Sequence, residues 1–153
     1  MATGRDMQIT RQIGEHLVVA ELGRRGYVAA PFAGNVPMFD IWAADVEGFA
    51  FPVQVKAIRG PAWQFRADTF LDIEIVDGEQ FVRGAFPLPN PSLICVFVVI
   101  KDGSKDEFYI FSLRDLQNQL FLTYKGGRRP RKPESMHCTI SPKELEKFRD
   151  NWV

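Results

Sequence analysis

Histidine and cysteine are scarce in this chain, two of each in 153 residues, and the four do not fall at metal-ligand spacing. His137 and Cys138 are adjacent, with no CxxC or HxxxH beside them, which argues against a structural zinc site. Cys95 lies in the apolar run SLICVFVVI and Cys138 in MHCTI, the setting of two reduced thiols rather than of a disulfide. No run approaches the roughly 20 apolar residues of a membrane helix, and the opening MATGRDMQITRQIG lacks the cation-then-apolar pattern of a secretory leader. A cytoplasmic protein without a membrane segment is expected. Net charge is missing too: 19 Lys plus Arg balance 19 Asp plus Glu, so any contact with nucleic acid must come from local clustering. With 46% hydrophobic and 25% charged residues and no repeat or long linker, the composition excludes disordered and fibrous classes. It leads us to expect a single domain over residues 1–153.

Hydrophobic periodicity supplies the elements. Ile9, Ile13, Leu17, Val18 and Leu22 recur at helical steps and predict a helix over 8–25, with Thr10 as its cap and Arg24, Arg25 and Gly26 at its end. YVAAPF, FDIWAAD and AFPVQVKAI are short apolar runs separated by turn compositions, which predicts an antiparallel meander. WQFRAD and FLDIEIVDGEQFV read as extended, with a hairpin turn at Asp77 and Gly78. SLICVFVVIKD reads as a central strand with DEFYIFS as its hairpin partner. Ser112 would cap the helix LRDLQNQLFL, CTI would form a short strand, and SPKELEKFRDNW would form a last helix opened by Ser and Pro. The expected fold class is α/β, a central mixed sheet flanked by helices.

Two of these strands raise a chemical question. FDIWAAD and FPVQVKAI carry Asp40, Gln54 and Lys56 among apolar neighbours, and such groups cost several kcal/mol to bury, on the order of 2–7 each, unless partnered. Alternation puts Gln54 and Lys56 on one face of their strand, and a neighbouring strand about 4.8 Å away brings Asp40 within reach. A carboxylate, an amide oxygen and an ammonium converging in this way suit a hydrolytic magnesium site. Taken alone, D…QxK equally describes a partly buried ion pair with a hydrogen-bonded glutamine.

Position in the chain adds to the pattern. An amphipathic helix containing GEHLVVAEL, then a strand with FD, then a strand with QVK, resembles the PD-(D/E)xK nuclease superfamily, the restriction-endonuclease-like fold in its Holliday-junction-resolvase-like arrangement. The resemblance spans residues 8–59 and implies that Asp40 is the first metal ligand, that Gln54 holds the second acidic position and that Lys56 is the motif lysine assisting the attacking water. Glu15 in IGEHLV looks like the helix glutamate that resolvase-like members add to the site; by itself, four residues after Arg11, it reads as an ion-paired surface residue. The implied cofactor is Mg2+ or Mn2+. Two departures stand out: PMFD replaces PD, and the neutral amide of Gln54 replaces a carboxylate, which weakens cation binding. Glutamine occurs there in some active members, and it is also what an inactivated nuclease carries.

KGGRRPRKPESMH is the one dense positive cluster in the chain, holding Lys125, Arg128, Arg129, Arg131 and Lys132, with His137 just beyond. Guanidinium forks suit phosphate oxygens, and Arg59 would extend the same surface towards DNA. A solvated loop accounts for the composition equally well. Trp42, Trp63 and Phe65 read most simply as packing residues. The resulting expectation is a metal-dependent DNA endonuclease, with a homodimer compatible with the family. The competing expectation is a nuclease-fold protein of weak or no activity that binds DNA or a protein partner.

Overall fold

The computed structural model describes residues 3–33, 39–126 and 134–152. Helix α1 spans Gly4–Arg24. It begins one turn before the expected start, and Thr10 lies inside it rather than at its cap. The signal overlooked is TGRD. Thr3 Oγ1 accepts the Asp6 N–H at 3.1 Å while the Asp6 carboxylate accepts the Thr3 N–H at 2.9 Å, a reciprocal cap that satisfies two otherwise orphaned donors. At the other end Gly26 takes φ +91°, and Tyr27 N–H returns to the Leu22 carbonyl at 3.0 Å, closing the helix behind its arginines.

The strands follow as β1 Val28–Pro31, β2 Ile41–Ala44, β3 Ala50–Ile58, β4 Trp63–Arg66, β5 Leu71–Val76, β6 Glu79–Ala85, β7 Ile94–Val99, β8 Glu107–Ser112 and, after helix α2 Leu113–Gly126, β9 His137–Ile140. The main sheet has five strands in the order β1-β2-β3-β7-β8. β1, β2 and β3 form the expected antiparallel meander, and β7 and β8 the expected hairpin. β3 and β7 run parallel, so β3 holds the middle of the sheet and β7 is the interior strand beside it. β7 is apolar throughout because both of its faces are covered, and Cys95 to Val99 are all buried. Both cysteines are free thiols.

Alternation along β3 divides the core in two. Val53 and Val55 point to α1 and pack with Val18, Leu22, Ile41, Ala43, Val96 and Val98. The opposite face is covered by α2 and by the small sheet β4-β9, where Trp63, Phe97, Tyr109, Leu116, Leu120 and Ile140 are buried. β5 and β6 form a separate hairpin whose turn residues Asp77 and Gly78 both take positive φ, 51° and 76°, as a two-residue turn of this hand requires. The buried Gln117 of α2 tethers that hairpin: its Nε2 donates to the carbonyls of Phe70 and Phe86 at 3.0 and 2.7 Å.

Ser112 caps α2 as expected, accepting the Asp115 N–H at 3.1 Å. The expected last helix is instead a 3-10 segment, Pro142–Phe148. The pull comes from β8, whose far edge needs partners: Asp150 N–H donates to Phe108 O at 2.9 Å and Asn151 Nδ2 to Ile110 O at 3.1 Å, drawing the tail out beside the strand. Among the described residues no helix is long and apolar enough to cross a membrane.

Helix α1 meets β3 at Gly14. A Cβ there would collide with the Cβ of Ala57, so the absent side chain sets how closely the helix lies on the sheet. Gly14→Ala is expected to destabilise the fold by about 1–3 kcal/mol, the usual range for overpacking, despite the better helix propensity of alanine. Urea denaturation of the variant against wild type reads this directly.

Candidate functional site

β3 outruns β2. Residues 50 to 53 pair with β2, whereas 54 to 58 pair only with β7, so the β2-side edge of β3 is open from Gln54 onward. Asp40 sits where β2 begins. Its N–H donates to Val53 O at 2.9 Å, and its own carbonyl accepts the Phe32 N–H at 3.0 Å, which clamps its backbone between two strands. Its side chain then serves as one more rung of the ladder: Oδ2 accepts the Val55 N–H at 2.9 Å. The N–H and C=O of one strand residue face the same neighbour, so the Val55 carbonyl lies along this same open edge.

Arg11 and Glu15 come from α1, one on each side of the close contact at Gly14. The Arg11 guanidinium spans two carboxylates, with Nε 3.1 Å from Glu15 Oε1 and Nη2 3.2 Å from Asp40 Oδ1. The carboxylate side chains are only 14% and 13% exposed, and Arg11 is 50% exposed. Glu15 is therefore ion-paired to Arg11 and also drawn to Asp40 through it. Glu21, two turns on, pairs instead with Arg24 and Arg25.

Gln54 and Lys56 share the face of β3 opposite to α1. The Cys95 Sγ of β7 lies 3.7 Å from Gln54 Oε1. Burial, with the fields of Asp115 and Asp40 added, pushes that thiol up to about 12, so it stays protonated as a donor at neutral pH. Lys56 as a whole is exposed, yet its ammonium end lies 4.9 Å from the Phe65 ring centre and 3.4 Å from the Gln64 carbonyl. Loss of hydration there lowers its pKa, and the charge of Asp40 opposes the shift. The two groups are thus near enough to act on one another.

Asp40 and Glu15 are joined through Arg11, whereas Lys56 and Gln54 lie on the opposite face of β3, where Lys56 feels the charge of Asp40 and the Gln54 oxygen is turned to a thiol. What sequence reasoning missed is Arg11 as a bridge; the i,i+4 spacing to Glu15 showed one of its pairs, while the contact with Asp40 depends on the docking of the helix. Trp63 and Phe65 are packing residues as expected, with Trp63 fully buried and Phe65 stacked on Phe97 at 5.9 Å. Trp42 is less covered: it is 45% exposed and continues a row with Phe39 and Phe32 beside Asp40.

The basic cluster falls largely outside the described residues. Pro37 and Met38 before the FD pair, and Arg128, Arg129, Arg131 and Lys132, lie there, and Lys125 is within the range of α2. His137 opens β9, exposed and paired in register with Arg66. Arg59 lies just past β3 in a salt bridge to Asp102 at 3.0 Å.

No family model and no curated protein matches the chain. Solved structures do. A bacterial homing endonuclease, I-Ssp6803I, is similar over 95% of this chain and 89% of its own, at 13% identity and a TM-score of 0.55. A Holliday junction resolvase, Hjc of Archaeoglobus fulgidus, is similar over 90% and 88% at 13% identity, with a TM-score of 0.45. The chain shares the restriction-endonuclease-like nuclease fold of the homing endonuclease.

The lowered pKa of Lys56 has a measurable sign. In the folded state it releases its proton before the unfolded state does, so the cost of burying the charge is present at neutral pH and is relieved as pH rises towards the ordinary value of 10.5. Urea melts of wild type and Lys56→Met should show wild type gaining on the variant between neutral pH and that value. A difference that does not change with pH would contradict burial as the cause.

Proposed function

We propose that this chain is a divalent-metal-dependent DNA endonuclease that hydrolyses phosphodiester bonds, with its site on the open edge of β3. The observation that carries this reading is the seating of Asp40 on the Val55 N–H, with Lys56 acting on it from the neighbouring face, in a nuclease fold. The homing endonuclease of similar fold is a nuclease by description, and DNA is accordingly the substrate we assign.

The donor set fits Mg2+ or Mn2+. Asp40, Glu15, the Gln54 amide oxygen and the Val55 carbonyl are all hard oxygen donors, and magnesium keeps several waters beside a few such ligands. Among the described residues no group of three or more His, Cys, Asp or Glu gathers to hold a metal, so the site would depend on neutral oxygens and water. The bound ion would supply Lewis-acid charge at the scissile phosphate. Lys56 would orient the attacking water and offset charge growing on the phosphate oxygens, from an end already stripped of part of its hydration. Glu15 would complete the acidic wall from α1. Lys125, Arg128, Arg129, Arg131 and Lys132, with Arg59 and His137, would grip the DNA backbone. We assign the protein to the cytoplasm, as one domain with a homodimer open to it.

A second reading is favoured by one specific observation, the Cys95 thiol against the Gln54 oxygen. An amide so occupied is a poorer metal ligand, and the chain would then be a nuclease-fold protein that binds DNA without cutting it.

Incubation of supercoiled and branched DNA with wild type and Mg2+ or Mn2+ should give nicked or resolved products. Asp40→Asn, which keeps an acceptor for Val55, should lower that rate by on the order of 100-fold or more. Wild-type rates in the Asp40→Asn variant would sink the assignment, and salt-sensitive binding without cleavage by wild type would establish the second reading. Gln54→Glu adds a charged ligand and should tighten Mn2+ by on the order of tenfold by calorimetry.

A further inference from the structure

We infer that Arg11 is a built-in competitor for the divalent metal, occupying the Asp40–Glu15 carboxylate pair until the ion displaces it. The inference rests on the metal reading above and concerns how that site is loaded.

The competition is decided by which oxygens remain available. Asp40 Oδ2 is committed to the Val55 N–H at 2.9 Å, a bond the open edge of β3 demands because an unpaired strand N–H is costly. Oδ1 is the oxygen that the backbone leaves unclaimed, and it is the atom that Arg11 Nη2 holds at 3.2 Å. The same guanidinium holds Glu15 Oε1 through Nε at 3.1 Å. One cation thus takes one oxygen from each carboxylate, as a metal would, and it does so from a third side chain anchored one helical turn before Glu15.

Both occupants cannot stay as they are. Magnesium or manganese binds carboxylate oxygens at about 2.1 Å in a near-octahedral shell, and a guanidinium stacked against the same oxygens would block that shell and repel the ion. Arg11 is also suited to leave. It is 50% exposed on a long flexible stem, whereas the two carboxylates are only 14% and 13% exposed and are held by the sheet and the helix. Half-exposed ion pairs are weak, so two of them should depress metal affinity by a modest factor, on the order of tenfold. In the metal-free protein Arg11 performs a second service: it neutralises two carboxylates that would otherwise repel each other across the docking surface of α1 and β2.

The test is a titration of Mn2+ into the full chain, following the signal of the free ion by electron paramagnetic resonance, for wild type, Arg11→Gln, Arg11→Lys and Asp40→Asn. Arg11→Gln is expected to bind Mn2+ on the order of tenfold tighter than wild type. Arg11→Lys should lie between them, because a compact ammonium lacks the fork that spans both carboxylates. Metal-free Arg11→Gln should also melt earlier than wild type and recover more of its melting temperature on adding Mn2+. Wild-type binding that either arginine variant leaves unchanged or weakens overturns the inference alone. Mn2+ retained equally by Asp40→Asn lies elsewhere and overturns it too. Mn2+ retained by neither wild type nor Arg11→Gln overturns the metal reading itself, and the inference with it.

Discussion

Everything in the candidate site hangs on the hydrogen bond from the Val55 N–H to the Asp40 carboxylate. β2 is too short to pair with the whole of β3, so a backbone donor in the middle of the sheet would lack a partner. A side chain fills the gap where the backbone cannot. The cost of an orphaned N–H holds Asp40 in one place, and that placement leaves its other carboxylate oxygen to Arg11 at 3.2 Å. A structural need and a chemical opportunity are met by the same two oxygens.

Helix α1 delivers the remaining charges by packing rather than by hydrogen bonding. Gly14 lets the helix sink onto Ala57, and the residues on either side of that contact, Arg11 and Glu15, arrive at Asp40 in consequence. On the other face of β3, Lys56 lies over Phe65, which belongs to an aromatic layer with Trp63 and Phe97. The strand therefore has acidic groups beside one edge and an ammonium over an aromatic floor on one face. That asymmetry comes from two different cores meeting at a single strand. It also explains why Lys56 is lowered in pKa although the carboxylate nearby works in the opposite direction: loss of hydration over the aromatic layer outweighs an attraction acting across the strand edge.

Most of the architecture was legible because it follows local rules. The meander, the Asp77-Gly78 hairpin, the apolar interior strand, the Ser112 cap and the Gly26 helix end depend on alternation, turn chemistry and capping, and each is written in a few consecutive residues. The departures occur where distant chain outbids a local preference. The segment after Ser141 has a Ser-Pro helix start, yet β8 needed an edge partner and drew its end into extended form. Trp42 reads as a packing residue, but cover on its face of β2 was never signalled locally.

By itself the sequence determined the mixed α/β class, the identity of the polar residues on β2 and β3, and the face that Gln54 and Lys56 share, since strand period and side-chain chemistry are properties of neighbours in the chain. Only the tertiary structure decided what those residues touch. The contact of Arg11 with Asp40 and the Cys95 thiol beside Gln54 join elements far apart in sequence, and the aromatic floor under Lys56 depends on how β4 folds back beside β3. The reason is physical: a charge placed in water or against a sheet takes its character from what packs around it, and packing is settled only when α1, β3 and β7 have closed on one another.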